Sequence, residues 1–128
     1  MRIFKNKAFA RFAAKANISD AALCKAVRDA ERGLIAADLG GGVIKQRIAR
    51  PGEGKSGGFR TVIVFRAGER AVLVHGFAKS ERENIEKAEL IAFRKLAAQL
   101  LAYDDKTLAD VIMSGTLLEV KCDEKKVP

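Results

Sequence analysis

The sequence predicts a small α+β domain, 1–128, with helices laid on one antiparallel sheet. Three observations predict it. Apolar residues recur at helical spacing near both ends, alternating or β-branched runs fill the middle, and Gly-rich turns separate them. With 48% hydrophobic residues, the 128-residue chain has enough apolar side chain for a packed core.

The first element is a short strand at Arg2–Lys5. Phe9, Phe12, Ala13 and Ala16 then recur as on one helix face. Asn17-Ile18-Ser19-Asp20 interrupts them, and Ser19 is the N-cap expected for a second helix. Its face carries Ala22, Leu23, Ala26, Val27 and Ala30, and Gly33 stops it. Leu39-Gly40-Gly41-Gly42 reads as a flexible turn into the sheet. Val43–Ala49 alternates, with Val43, Lys45, Arg47 and Ala49 on one face and Ile44, Gln46 and Ile48 on the other. Phe59–Arg66 is a β-branched and aromatic strand, Ala67-Gly68-Glu69 a hairpin turn, and Arg70–Phe77 the next strand. These three strands form an antiparallel meander. A long helix is expected over Glu81–Ala102, with Ile85, Ala88, Ala92, Phe93, Leu96, Ala97 and Leu100 as its apolar stripe. A short helix at Thr107–Met113 and a terminal strand at Leu117–Val120 close the order.

The chain carries 24 Lys and Arg against 16 Asp and Glu, a net +8. Between Gly42 and Arg82 nine bases face three acids, so this third holds most of the excess. Such a charge points to a polyanionic partner, nucleic acid or an acidic protein. Apolar runs such as Val62–Phe65 are far too short to span a membrane. Met1-Arg2-Ile3-Phe4-Lys5-Asn6-Lys7 develops no signal-peptide core. A cytoplasmic protein without membrane contact is expected. There Cys24 and Cys122, with no CxxC spacing, are expected to be reduced thiols. One His and two distant Cys assemble no zinc set, and no cofactor is expected.

Ala49-Arg50-Pro51-Gly52-Glu53-Gly54-Lys55-Ser56 imitates a nucleotide phosphate-binding loop. That motif needs a helix to follow, so that its N-terminal amides cradle phosphate. Here Gly57-Gly58 and a strand follow, so the segment reads as a basic loop beside a nucleic-acid site. His75, the only imidazole, reads as a core residue sharing a face with Leu73 and Phe77. Tyr103 reads as a packing anchor at a helix end.

Lys45 and Arg47 share a strand face at about 7 Å spacing. Arg60, on the neighbouring strand, shares its face with Val62 and Val64. If Lys45, Arg47 and Arg60 meet on the open face, three fixed cations line a groove sized for a phosphate backbone.

Lys45-Gln46-Arg47, Gly54-Lys55-Ser56-Gly57-Gly58-Phe59-Arg60 and Gly76-Phe77-Ala78-Lys79-Ser80-Glu81-Arg82-Glu83-Asn84-Ile85 together resemble the RelE/HigB superfamily of bacterial type II toxins. The resemblance covers roughly Gly42 to Leu101. It implies a RelE-like fold, with N-terminal helices packed on a twisted antiparallel sheet and a long helix after the sheet. It also implies a toxin that cuts mRNA in the ribosomal A site and inhibits translation. The implied partners are the ribosome, mRNA and a cognate antitoxin with a helix-turn-helix DNA-binding domain. Operator DNA is then met only through the antitoxin. The positions matching the family's catalytic cluster are Lys45, Arg47, Arg60, Lys79 and Arg82. Ser80 stands where RelE has an Arg, and no Tyr stands near Glu86.

The reaction implied uses the RNA's own 2′-hydroxyl as nucleophile, which suits a chain without a Ser-His or Cys-His pair and calls for no metal. Arg60 is the candidate for stabilising charge on the phosphate. Lys45, crowded by like charge, is the candidate base. Lys79 or Arg82 is the candidate at the leaving group. Arg50, Lys55, Lys5, Lys7, Arg11 and Lys15 are the further RNA-binding candidates, the last four expected on the first helix. Two other classes compete. One is a non-enzymatic ParE-like toxin that inhibits DNA gyrase, which needs no convergent basic pocket. The other is a basic nucleic-acid-binding domain without catalysis, for which 6% aromatic residues leave few stacking platforms.

Overall fold

The fold is given by a computed structural model that describes residues 1–50, 57–82 and 84–122. The order is β1 (Arg2–Asn6), α1 (Lys7–Ala16), α2 (Asp20–Glu31), β2 (Ala37–Gly40), β3 (Val43–Ile48), β4 (Phe59–Arg66), β5 (Arg70–Ala78), α3 (Lys87–Ala102), α4 (Asp105–Met113) and β6 (Leu117–Val120). The strands form one sheet in the order β2-β3-β4-β5-β1-β6. Neighbours run antiparallel except β1 and β5, which are parallel. This is the mixed α+β architecture of a RelE-like fold, and β3-β4-β5 is the expected meander.

Local chemistry sets the helix ends. The Asn6 side chain accepts from Phe9 N at 2.8 Å and starts α1, while Ser19 accepts from Ala22 N at 3.2 Å and starts α2. Asp104 does the same for α4 through Thr107 N.

Helices cover both faces of the sheet. Phe9, Leu23 and Val27 from α1 and α2 pack with Ile44, Ile63 and Leu73. Ala97, Leu100 and Leu108 from α3 and α4 pack with Val43, Val62, Val64 and Val72 on the other face. The physical reason lies in β3 and β4, whose alternate positions are apolar on both faces near the Val43–Val64 pair, so both sides need a cover.

Three expectations are corrected. The long helix begins at Lys87, not Glu81. Glu81 and Arg82 instead turn back on β5, each donating its backbone N–H to Ala78 O. The segment Ala37–Gly40 is a strand pairing with β3, although Gly40, Gly41 and Gly42 do make the turn, each with positive φ. Lys5 lies on β1, where its amine pairs with Asp20 at 3.2 Å, and not on the first helix.

A fourth correction concerns the thiols. Cys24 of α2 and Cys122 are joined in a disulfide. Antiparallel pairing of β6 with β1 carries the chain end over α2, so a separation of 98 residues becomes a Cα distance of 5.8 Å. Cys24 lies in the core, and Cys122 packs against the same cluster.

Candidate phosphate site

On the α3 face of the sheet the cross-strand rows are set by register. Arg47, Arg60 and Phe77 make one row, and Lys45, Val62 and His75 the next. Helix α3 lies over the apolar Val43–Val64–Val72 row. Its late start leaves the Arg47–Arg60 end open. A cavity of about 250 Å³ forms there, lined by Ala36, Lys45, Arg47, Arg60, Lys79 and Asn84. Four of these six residues are cationic and none is acidic.

Arg60 is the unusual member. It is only 7% exposed, and its buried Nη1 has no hydrogen-bond partner among the described residues. A desolvated guanidinium with an unused donor is unfavourable unless an anion completes it. Gly58, two residues earlier, sets its place. A Cβ there would stand 2.1 Å from Ile48 O, so only glycine lets β4 begin this close to the end of β3. The carbonyl of Gly58 also accepts from Lys79 N at 3.2 Å, which brings the residue after β5 beside the start of β4. Lys45 donates from Nζ to Asn84 Oδ1 at 2.9 Å.

The remaining predicted residues lie elsewhere. Arg82 is absent from the cavity wall. Its guanidinium is bonded to both Glu89 oxygens, donates from Nε to Asn84 O at 3.0 Å and lies 5.0 Å from the Phe77 ring. The Arg82 guanidinium, helped by the Glu86 N–H, holds the Glu89 carboxyl at about 2. Arg50 stacks on Phe59 at 4.8 Å. With Lys15 it lines a second cavity of about 670 Å³ on the α1 face, across the sheet from the first. Lys7, Arg11 and Lys15 form an exposed i, i+4 row along α1. Lys55 and most of the basic loop lie outside the described residues.

His75 is half-buried between Phe77 and Phe93, with its Nε2 buried and unpartnered among the described residues. Burial pushes its imidazole below the ordinary value. A bulge breaks the β4–β5 register between Val62 and Ile63, so Val62 pairs with His75 and Ile63 with Leu73. His75 therefore keeps the face of Phe77 but leaves that of Leu73, which packs on the α1–α2 side. Tyr103 caps the end of α3 and packs in the core beside it, away from the cavity.

Sequence reasoning passed over Asn84 as a site residue. The signal was its place in Arg82-Glu83-Asn84-Ile85, hidden by assigning that stretch to a helix.

A family model describing the RelE toxin of the RelE/RelB toxin–antitoxin system matches residues 1–120. No curated protein matches the chain.

Proposed function

Because the chain belongs to the RelE toxin family of toxin–antitoxin systems, we propose that it is a ribosome-dependent mRNA endonuclease that inhibits translation. Membership implies an antitoxin partner. The observation that carries the nuclease reading is Arg60, a buried residue whose Nη1 has no partner among the described residues and which lines a cavity with three further cations. That arrangement suits the charge that develops on a pentacoordinate phosphate.

The 2′-oxygen attacks the adjacent phosphorus, and the bond from phosphorus to the 5′-oxygen breaks. The products are a 2′,3′-cyclic phosphate and a 5′-hydroxyl. Lys45 is the group that accepts the 2′ proton. Arg60 and Arg47 hold the non-bridging oxygens, Arg60 through its planar fork. Lys79 stabilises the negative charge on the departing 5′-oxygen, which takes its proton from water. Arg82 has no free fork for that role, since Glu89 and Asn84 O occupy it. The ribosome supplies the alignment of 2′-oxygen, phosphorus and leaving oxygen.

Such a substrate requires action in the cytoplasm. The α1 row of Lys7, Arg11 and Lys15 suits ribosomal RNA phosphates, in contacts that weaken with salt. The antitoxin is acidic where it covers these bases and carries a helix-turn-helix domain through which the complex meets operator DNA. Primer extension on mRNA from cells briefly expressing the protein tests the reading. Cleavage inside translated codons is expected. Intact mRNA with damaged or supercoil-altered DNA would favour the gyrase-inhibiting class instead.

A further inference from the structure

We propose that Asn84 is a positioning residue for Lys45, and that Arg82 and Glu89 form the latch that holds it there. The inference rests on the nuclease reading for its consequence, but its geometry stands apart. Asn84 Oδ1 accepts from Lys45 Nζ at 2.9 Å, and both residues line the cavity. The backbone oxygen of Asn84 accepts from Arg82 Nε at 3.0 Å. Arg82 then grips Glu89, in the first turn of α3, with both terminal nitrogens, and lies against Phe77 of β5. Glu89 also accepts from Glu86 N at 2.7 Å at the helix start. The turn that carries Asn84 is thus fastened to both α3 and β5.

Lys45 needs such a holder. Its amine sits on a flexible four-carbon stem beside Arg47, Arg60 and Lys79, and like charge drives it outward. A neutral amide oxygen restrains the amine without cancelling the positive charge that attracts phosphate. A carboxylate at the same place would restrain it and cancel that charge. Giving one N–H to Oδ1 also limits the directions in which Nζ can face the cavity. A displacement of about 1 Å at a proton-accepting atom is enough to lower a rate about 10²-fold.

The experiment combines two measurements on the purified protein. Lysine ¹³Cε labelling reads whether the Lys45 methylene is fixed, giving two distinct proton shifts, or mobile, giving one. Single-turnover cleavage on programmed ribosomes reads rate and half-saturation separately. Asn84→Ala is expected to merge the Lys45 signals and to lower the maximal rate 10- to 10²-fold with half-saturation unchanged. Arg82→Ala is expected to do the same through the latch. Asn84→Asp is expected to keep the Lys45 signals distinct while weakening RNA binding. In a Lys45→Ala background, Asn84→Ala is expected to add no further loss.

Lys45 signals unchanged by Asn84→Ala would overturn the proposal. So would a full additional loss in the Lys45→Ala background, since Asn84 would then act on RNA directly. If the wild-type protein cuts nothing on ribosomes, the nuclease reading fails, and the Lys45 signals still decide whether Asn84 holds the amine.

Discussion

Arg47 of β3 and Arg60 of β4 are direct cross-strand partners on the open face of the sheet. Like charges in that relationship oppose folding. Arg60 adds the cost of a buried guanidinium whose Nη1 has no partner among the described residues. The pair therefore stores a demand for an anion. Arg60→Met, of similar length and apolar, is expected to keep or raise stability by up to about 1–4 kcal/mol. The same substitution is expected to abolish growth arrest. Urea midpoints and plating at equal expression check both halves. A strongly destabilised variant would mean that the guanidinium holds the fold.

Lys45 and Lys79 are expected to respond differently to arginine. In the proposed mechanism Lys79 acts only through its charge at the leaving oxygen, so Lys79→Arg is expected to keep much of the activity. In the same mechanism Lys45 accepts a proton, which an Arg does not do at accessible pH. Lys45→Arg is expected to lose most of it, by about 10²-fold or more. Single-turnover cleavage across pH separates the two. A wild-type profile for Lys45→Arg would make Lys45 a phosphate contact only. The proton acceptor would then have to lie elsewhere. His75, two strands away across Val62, is the next base in that row.

The Arg82–Glu89 latch carries a pH signature. Glu89 is held at about 2, below its ordinary 4.5, first by the Arg82 hydrogen bonds and then by the Glu86 N–H. A lowered folded-state value means stabilisation that is complete above about pH 4.5 and lost as pH falls toward 2. Both side chains are about one-third exposed, so the effect is screened and modest. Glu89→Gln is expected to be less stable than wild type at pH 7, with the difference shrinking below pH 4.5. Denaturant titrations at pH 7, 4 and 3 check this. A difference that does not change with pH would remove the ion pair from the account.

The Cys24–Cys122 disulfide closes a separation of 98 residues. Reduction is expected to lower stability by about 2–4 kcal/mol, because the unfolded chain gains freedom. Intact mass before and after reduction, with urea midpoints in each state, provides the check. Equal midpoints would show that the core around Cys24 holds the chain end without the bond.

Where the sequence carried local signals, the fold was legible. Ser19, Gly33, the alternation in Val43–Ile48 and the run Leu117–Val120 each announce their element. So was the convergence of Lys45, Arg47 and Arg60, because facing follows from strand parity and hairpin register. Parity failed at His75, where one bulge changes which residues share its face, and no residue type marks the bulge. The start of α3 was hidden because Ile85 and Ala88 continue the helical spacing, while the cap is made by Glu86 with Glu89 of the first turn, which Arg82 grips from outside the helix. The disulfide and the second helical layer depend on where distant strands pair, which local spacing does not contain.

The central claim is that the cations around Arg60 hold the scissile phosphate of mRNA on the ribosome. Its most direct measurement compares wild type with Arg60→Ala for cleavage of one mRNA, free and on programmed ribosomes, without added metal. The account predicts efficient wild-type cutting on ribosomes, poor cutting of free RNA, and a loss of about 10²–10³-fold on ribosomes for Arg60→Ala. Arg60→Ala cutting at the wild-type rate, or wild type cutting free RNA as fast as ribosome-bound RNA, would contradict it.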